Sequence, residues 1–348
     1  MYNRVGIWQT ASFAEPLEIE LGVAREEQPD PSPGARYLSV PLDAIPTDIP
    51  LPCALYVRIS EKYVLFRKAG DLLTLARAQA LQVPSNGVIF VSLQEWARLL
   101  NSLESLFIAG QQSVLATDGL AQGLRIRNLL VAYAREIDQS KVFAQPLLKR
   151  IEDLSGLLAS LLKASTDLSA QLLRRYQDPS LYHVNHAVNV AIYSLAIANK
   201  QNMDLAQMKA LSFAALVHNV GNIRVPAEVL FKPGELTLDE KKLVDSHILH
   251  GASLLQSMSA PKEVVVTAMQ HHDRYDGLGA PDSRPSGSGI HIFARICSIA
   301  DVFDAITSFR PYHSEPLSPE AAVKRMADMT GKFDPGILPT VGGADARR

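Results

Sequence analysis

Histidine is the residue type with which this chain could do the most chemistry. His183 and His186, His218, His247 and His250, and the adjacent pair His271–His272 form separated groups in the C-terminal half, and Asp301 and Asp304 follow them. A lone histidine on an apolar helix is more often a hydrogen-bonded core residue than a ligand. Several of these, however, stand in apolar text where nothing else calls for a polar side chain. LSFAALVHNVGN sets His218 at the end of a greasy helix, and HIFARICSIADVFDAITS sets Asp301 inside another. A buried carboxylate without a partner is costly, so Asp301 needs a cation or a hydrogen-bond network. Imidazoles from separate segments meeting one carboxylate among helices make a metal site. Nitrogen and oxygen donors without thiolate suit iron, manganese or zinc.

The elements that must position these residues fall into distinct stretches. The chain has 348 residues, enough for two domains and a connecting segment at about 150 residues per domain. Hydrophobic residues make up 47% and charged residues 20%, which argues against a wholly disordered chain. The net charge of −2 leaves no global electrostatic case for a DNA or membrane-surface partner, and none is expected. With only Cys53 and Cys297, a disulfide scaffold or a CxxC zinc module is not expected either. The N-terminus has no signal-peptide core, and no stretch approaches ~18 uninterrupted apolar residues. A cytoplasmic protein is the expectation.

Residues 1–52 are proline-rich and poor in pattern, and read as an extended arm. Residues 53–115 read as a small α+β module: a strand pair over CALYVRIS and EKYVLFRKAG, a helix over 71–82, a buried strand over GVIFVSL, and a second helix. Residues 120–176 are long helical text with leucines at three-to-four spacing, a helical connector. Ordinary packing against the next domain is the plainer reading of that stripe; the alternative is a dimerising or signal-transmitting helix, with a homodimer contact through 147–172. Residues 178–335 read almost entirely as helices. Thr237–Glu240 forms a capping box and Ser318–Pro319 a second helix start. The fold class expected is mainly α, a C-terminal helical bundle behind a small α+β module.

The ordered series HAVNVA (186–191), HNVGN (218–222), HILHGASLL (247–255), HHDRYDGLGAP (271–281) and ADVFDAITSFRPY (300–312) resembles the HD-GYP family, a branch of the HD metal-dependent phosphohydrolases. The resemblance implies a helical bundle holding divalent metals, often iron or manganese, and hydrolysis of cyclic di-GMP to pGpG or GMP. Carried over by motif, His186, His218 and Asp301 correspond to ligands of one metal, and His247, His271 and His272 to ligands of a second. Two close cations can act as Lewis acids on a phosphodiester and activate water for in-line attack. Arg310, Asp276, Gly277 and Ala280 fall at positions expected to bind substrate or shape its loop.

The departures bear on function. The family's bridging aspartate is Asn219, a neutral amide, and the lysine of its HDxGK motif is Asn222. The tyrosine of GYP is Ala280, and Tyr182 stands where three-metal members carry glutamate, so one or two metals are expected rather than three. The loop DSRPSGSG after Pro281 lacks the lysine common there. Charge loss at Asn219 and Asn222 weighs more on a transition state than on a fold. The expectation is a metal-binding protein of cyclic di-GMP signalling with phosphodiesterase activity reduced or lost. Its alternatives are an active phosphodiesterase and a non-catalytic receptor of cyclic di-GMP or a related nucleotide, with a diguanylate cyclase or other signalling protein as partner. His183, His250, His291 and His313 are expected to be surface or supporting residues, Cys297 a core residue, and Asp304 either a partner of a ligand histidine or a surface charge.

Overall fold

The computed structural model describes residues 37–42, 45–59, 62–81, 88–112, 119–165, 167–173, 182–230, 232, 234–278, 285–308 and 316–342. Four antiparallel strands come first: β1 (Tyr37–Pro41), β2 (Leu55–Ile59), β3 (Lys62–Arg67) and β4 (Val88–Ser92), in the order β1-β4-β2-β3. Alternation decides which side is buried. Leu38 and Val40 lie opposite Val91 and Ile89, and with Leu55 and Val57 they face a core closed by Trp96 and Leu99 of α2 (Trp96–Gln112).

The extended-arm reading of 1–52 does not hold for residues 37–52. Tyr37–Pro41 is a full strand, and Leu42, Ile45 and Leu51 are buried in the same core. The pairing that captures this stretch comes from β4, far along the chain, and local proline content carries no sign of it. The same strand-like traffic delays the first helix. Asp48 N–H donates to Leu73 O and Leu51 N–H to Asp71 O, so residues 71–73 are engaged and α1 spans Leu75–Leu81, not 71–82.

The connector is three helices: α3 (Gly119–Ser140), α4 (Gln145–Ala164), opened by Pro146 in its first turn, and α5 (Asp167–Leu173). Most of its leucines are spent inside the chain. Leu148, Ile151, Leu154, Leu158, Leu162, Leu168 and Leu172 are buried in one apolar cluster with the helices that follow. Leu147 and Leu161 of the same stripe are partly buried and Leu157 is exposed. Ala132 of α3 reaches the sheet's core, while Ile126, Leu129 and Leu130 join the bundle's.

The bundle continues with α6 (Tyr182–Lys200), α7 (Leu205–Val217), α8 (Ala227–Leu230), α9 (Leu238–Asp245), α10 (His247–Ser257), α11 (Lys262–Gln270), α12 (Ile292–Thr307) and α13 (Pro319–Ala327). Capping boxes at Asp204–Gln207 and Thr237–Glu240 start α7 and α9, and Ser318 caps α13. The α6, α7 and α12 helices are apolar nearly all round because α6 lies between the connector helices and α12, and α7 between α4 and α11. Cys297 is fully buried among them. Among the described residues, no helix is long and apolar enough to cross a membrane.

One close approach governs the site. The short 3-10 turn Val220–Arg224 lies against α10, and a Cβ on Gly221 would stand 2.0 Å from His247 O. Only glycine allows that contact, which brings the end of α7 beside the start of α10.

Candidate metal centre

Three imidazoles arrive at helix ends in the same way. His218 follows α7, His271 follows α11, and His247 opens α10 just beyond α9. Each Nδ1 sits on the carbonyl three residues back: Ala215 O at 2.7 Å, Ala268 O at 3.0 Å and Val244 O at 2.7 Å. A carbonyl only accepts, so each Nδ1 carries a proton, and the neutral rings of His247 and His271 present Nε2 as a bare lone pair. The helix carbonyl ends also place partial negative charge near any cation held there.

The ligand atoms form two groups. His247, His271 and His272 make one, and His186, His218 and Asp301 the other; within each, the donor atoms lie within 4.8 Å of one another. The groups adjoin, because the His218 and His271 rings meet edge to face at 5.0 Å. His247 and His271 point Nε2 at Nε2 across 3.4 Å. Neither nitrogen has a proton to give, so two lone pairs face each other until an electrophile sits between them. A tetrahedral site with metal–nitrogen bonds of about 2.0–2.1 Å has donor atoms roughly 3.4 Å apart. His218 Nε2 is buried without a hydrogen-bond partner, and so is Asn219 Oδ1 beside it. The donors and the orphaned atoms fit a divalent cation.

Burial, with His272 and other neighbouring rings, lowers the pKa of His247 to about 4 and that of His271 well below the ordinary value. His272 is lowered too, by burial against the pull of Asp301. The second group behaves oppositely. Burial opposes charge on His186, but hydrogen bonds to Asp301 and Asp304 and their charges outweigh it and raise its pKa to about 9. Burial likewise opposes charge on Asp301, yet His186 and His218 hold its carboxyl well below the usual range.

Asp304 is no surface charge. It is 1% exposed, its Oδ2 accepts from His186 Nδ1 at 2.7 Å, and its Oδ1 accepts from Asn189 Nδ2 at 2.9 Å and Ser308 Oγ at 2.8 Å. A carboxylate holding the far nitrogen of a ligand histidine sets the ring's orientation and strengthens it as a donor. Tyr182 Oη is 3.1 Å from the same Nδ1. Asn189 and Ser308 were not singled out from the sequence. Their signal was helical spacing, three residues after His186 and four after Asp304, as polar groups in apolar text.

Asp276 and Gly277 lie in the turn after the histidine pair. Both Asp276 oxygens accept from Arg274, at 3.0 and 2.6 Å, and Oδ1 also accepts from Leu278 N–H, while Gly277 takes φ +75°. That carboxylate is committed to the turn. Segment 330–332 clamps the turn: Tyr275 and Asp276 N–H donate to Lys332 O and Gly331 O, and Arg274 reaches Thr330 O. Arg295 pairs with Asp334 at 2.6 Å and anchors the segment's far end. Lys332 is half-buried and shares electrostatic interactions with His272 and Asp301. His250 approaches Ser246 Oγ, and His291 caps α12 by accepting from Phe293 N–H. Ala280, Arg310 and His313, and the side chain of His183, lie outside the described residues.

The profile of the HD domain family matches residues 155–337, just over half of the chain. A cyclic di-GMP phosphodiesterase of Pseudomonas aeruginosa is 34% identical over 182 residues, covering 49% of this chain and 44% of its own length. A cyclic di-GMP phosphodiesterase response regulator of Xanthomonas campestris is 38% identical over 143 residues, 40% of this chain and 37% of its own. The chain thus spans less than half the length of these relatives. A solved HDG"Y"P protein from Bdellovibrio bacteriovorus shares the fold with TM-score 0.66 and 18% identity, over 88% of this chain and 99% of that one.

Proposed function

The chain belongs to the HD domain family, in its HD-GYP branch, and from that membership we propose that it is a metal-binding component of cyclic di-GMP signalling whose phosphodiesterase turnover is reduced or lost. The observation that carries this reading is Asn219. It follows His218 directly, and its Oδ1 is buried without a hydrogen-bond partner. An amide oxygen there can approach a cation but brings no charge, so two adjacent dications would repel more strongly than across a carboxylate.

When bound, one or two divalent cations, iron or manganese with zinc as a third candidate, would supply Lewis-acid charge for phosphodiester chemistry. The chain's own part is to hold the donors in place. His247, His271 and His272 offer three neutral nitrogens, and His186, held by Asp304, would join His218 and Asp301 in the second group once its Nε2 proton has left. Retention of all six donors supports retained metal binding more strongly than retained catalysis.

The test is metal analysis of the purified protein, then binding and hydrolysis of cyclic di-GMP with iron(II) or manganese added. Metal and nucleotide binding with little turnover, and turnover gained on Asn219→Asp by about 100-fold or more, is the expected result. Robust hydrolysis by the parent, abolished by His271→Ala, overturns the loss of activity.

A further inference from the structure

Resting on that reading, we propose that Lys332 is the phosphate-binding cation of this centre, the charge that Asn222 cannot supply. Position comes first. Lys332 lies on the clamp segment, its backbone tied to Tyr275 three residues beyond the ligand His272. Gly331 makes that tie possible at φ +73°, where a Cβ would stand 1.9 Å from Asp276 Oδ2, and the Arg295–Asp334 pair fixes the other side. The segment therefore cannot drift from the histidine pair without breaking several bonds.

Charge comes second. The Lys332 ammonium interacts with His272 of one donor group and Asp301 of the other, and Arg274 is its remaining charged neighbour. Its contact with the Phe333 ring, 5.3 Å from ammonium to centroid, leaves the donors free. An ammonium beside a loaded metal site is repelled by it. An arriving phosphodiester relieves that repulsion and takes a charge-assisted hydrogen bond. Asn222, in the 3-10 turn after Asn219, has a buried amide oxygen and no charge to offer.

The experiment is calorimetric titration of the full, manganese-loaded chain with cyclic di-GMP at low and high salt. Lys332→Ala is expected to weaken binding about 10- to 100-fold with unchanged metal content, and to flatten the salt dependence. Lys332→Arg is expected to stay within about threefold of the parent, and Asn222→Lys to restore much of what Lys332→Ala loses. A purely structural lysine would not give rescue from a second position. Unchanged affinity and salt dependence in Lys332→Ala overturn the assignment of the lysine alone. Absence of nucleotide binding by the metal-loaded parent overturns the functional reading and this one with it.

Discussion

The two halves of the candidate metal centre solve opposite problems with the same residue type. In the half made by His247, His271 and His272, burial keeps the rings neutral and backbone carbonyls hold the Nδ1 protons of His247 and His271, so the donors wait with nothing between them. In the half made by His186, His218 and Asp301, the donors already hold each other: His186 Nε2 lies 2.9 Å from Asp301 Oδ1 and its Nδ1 2.7 Å from Asp304. The first half is strained by lone pairs and has only cavity to lose on binding. In the second, His186 and Asp301 already hold each other and must be opened, while His218 Nε2 still lacks a partner. A histidine's value as a ligand is therefore set by what its other nitrogen meets, a carbonyl at His247, His271 and His218 and a carboxylate at His186.

The comparison breaks most simply at His271, which is fully buried and touches both halves through His218 and His247. His271→Ala removes one of three neutral donors and opens a polar cavity. Metal affinity of the first half should fall by about 100-fold or more, read by elemental analysis after dialysis against a graded chelator. Two equivalents retained at the parent's affinity would show that the tri-histidine half is not a site.

How far the chain announces these halves depends on whether the deciding contact is local. The ligands stood out because a polar ring at the end of LSFAALV, or a carboxylate within ICSIADVF, contradicts its surroundings. The helices of 178–335 were legible for the same reason, with apolar periods and capping boxes that act within a turn. What escaped was non-local. The Tyr37–Pro41 strand exists through β4 and the late start of α1 through backbone pairing with residues 48–51, while the choice between the two readings of Asp304, ligand partner or surface charge, rests on a ring 118 positions away. Lys332 was invisible as well, because only the clamp onto Tyr275 and Asp276 brings it to the histidines.

A smaller change should separate the halves rather than abolish one. Asp304→Ala leaves all six donors but strips His186 of its buried partner. Breaking a buried ion pair from one side costs about 3–5 kcal/mol, so the metal-free protein should lose roughly that in urea unfolding. Metal affinity at the second half should fall about 10- to 100-fold, while the first keeps the parent's value in the same titration. Equal losses in both halves would mean that the centre is one cooperative unit rather than two separable halves.

The finest distinction is in protons. Without metal, His186 binds its proton more tightly in the folded chain than in the unfolded one. The stability this adds is fully present below the ordinary value of 6.5 and is lost as pH rises through about 9. The first half has the reverse sign: with His247 depressed to about 4, the fold is penalised as pH falls from 6.5 toward that value. At pH 7 the first half should therefore take a cation without releasing a proton. The second must expel about one, from His186 Nε2, before that nitrogen can donate. Manganese titrations by calorimetry, repeated in buffers of different ionisation enthalpy, read this directly. Two binding steps with about zero and about one proton released support the asymmetry. Two steps with equal release would place the imidazolium elsewhere and leave the Asp301–His186–Asp304 chain a neutral hydrogen-bonded network.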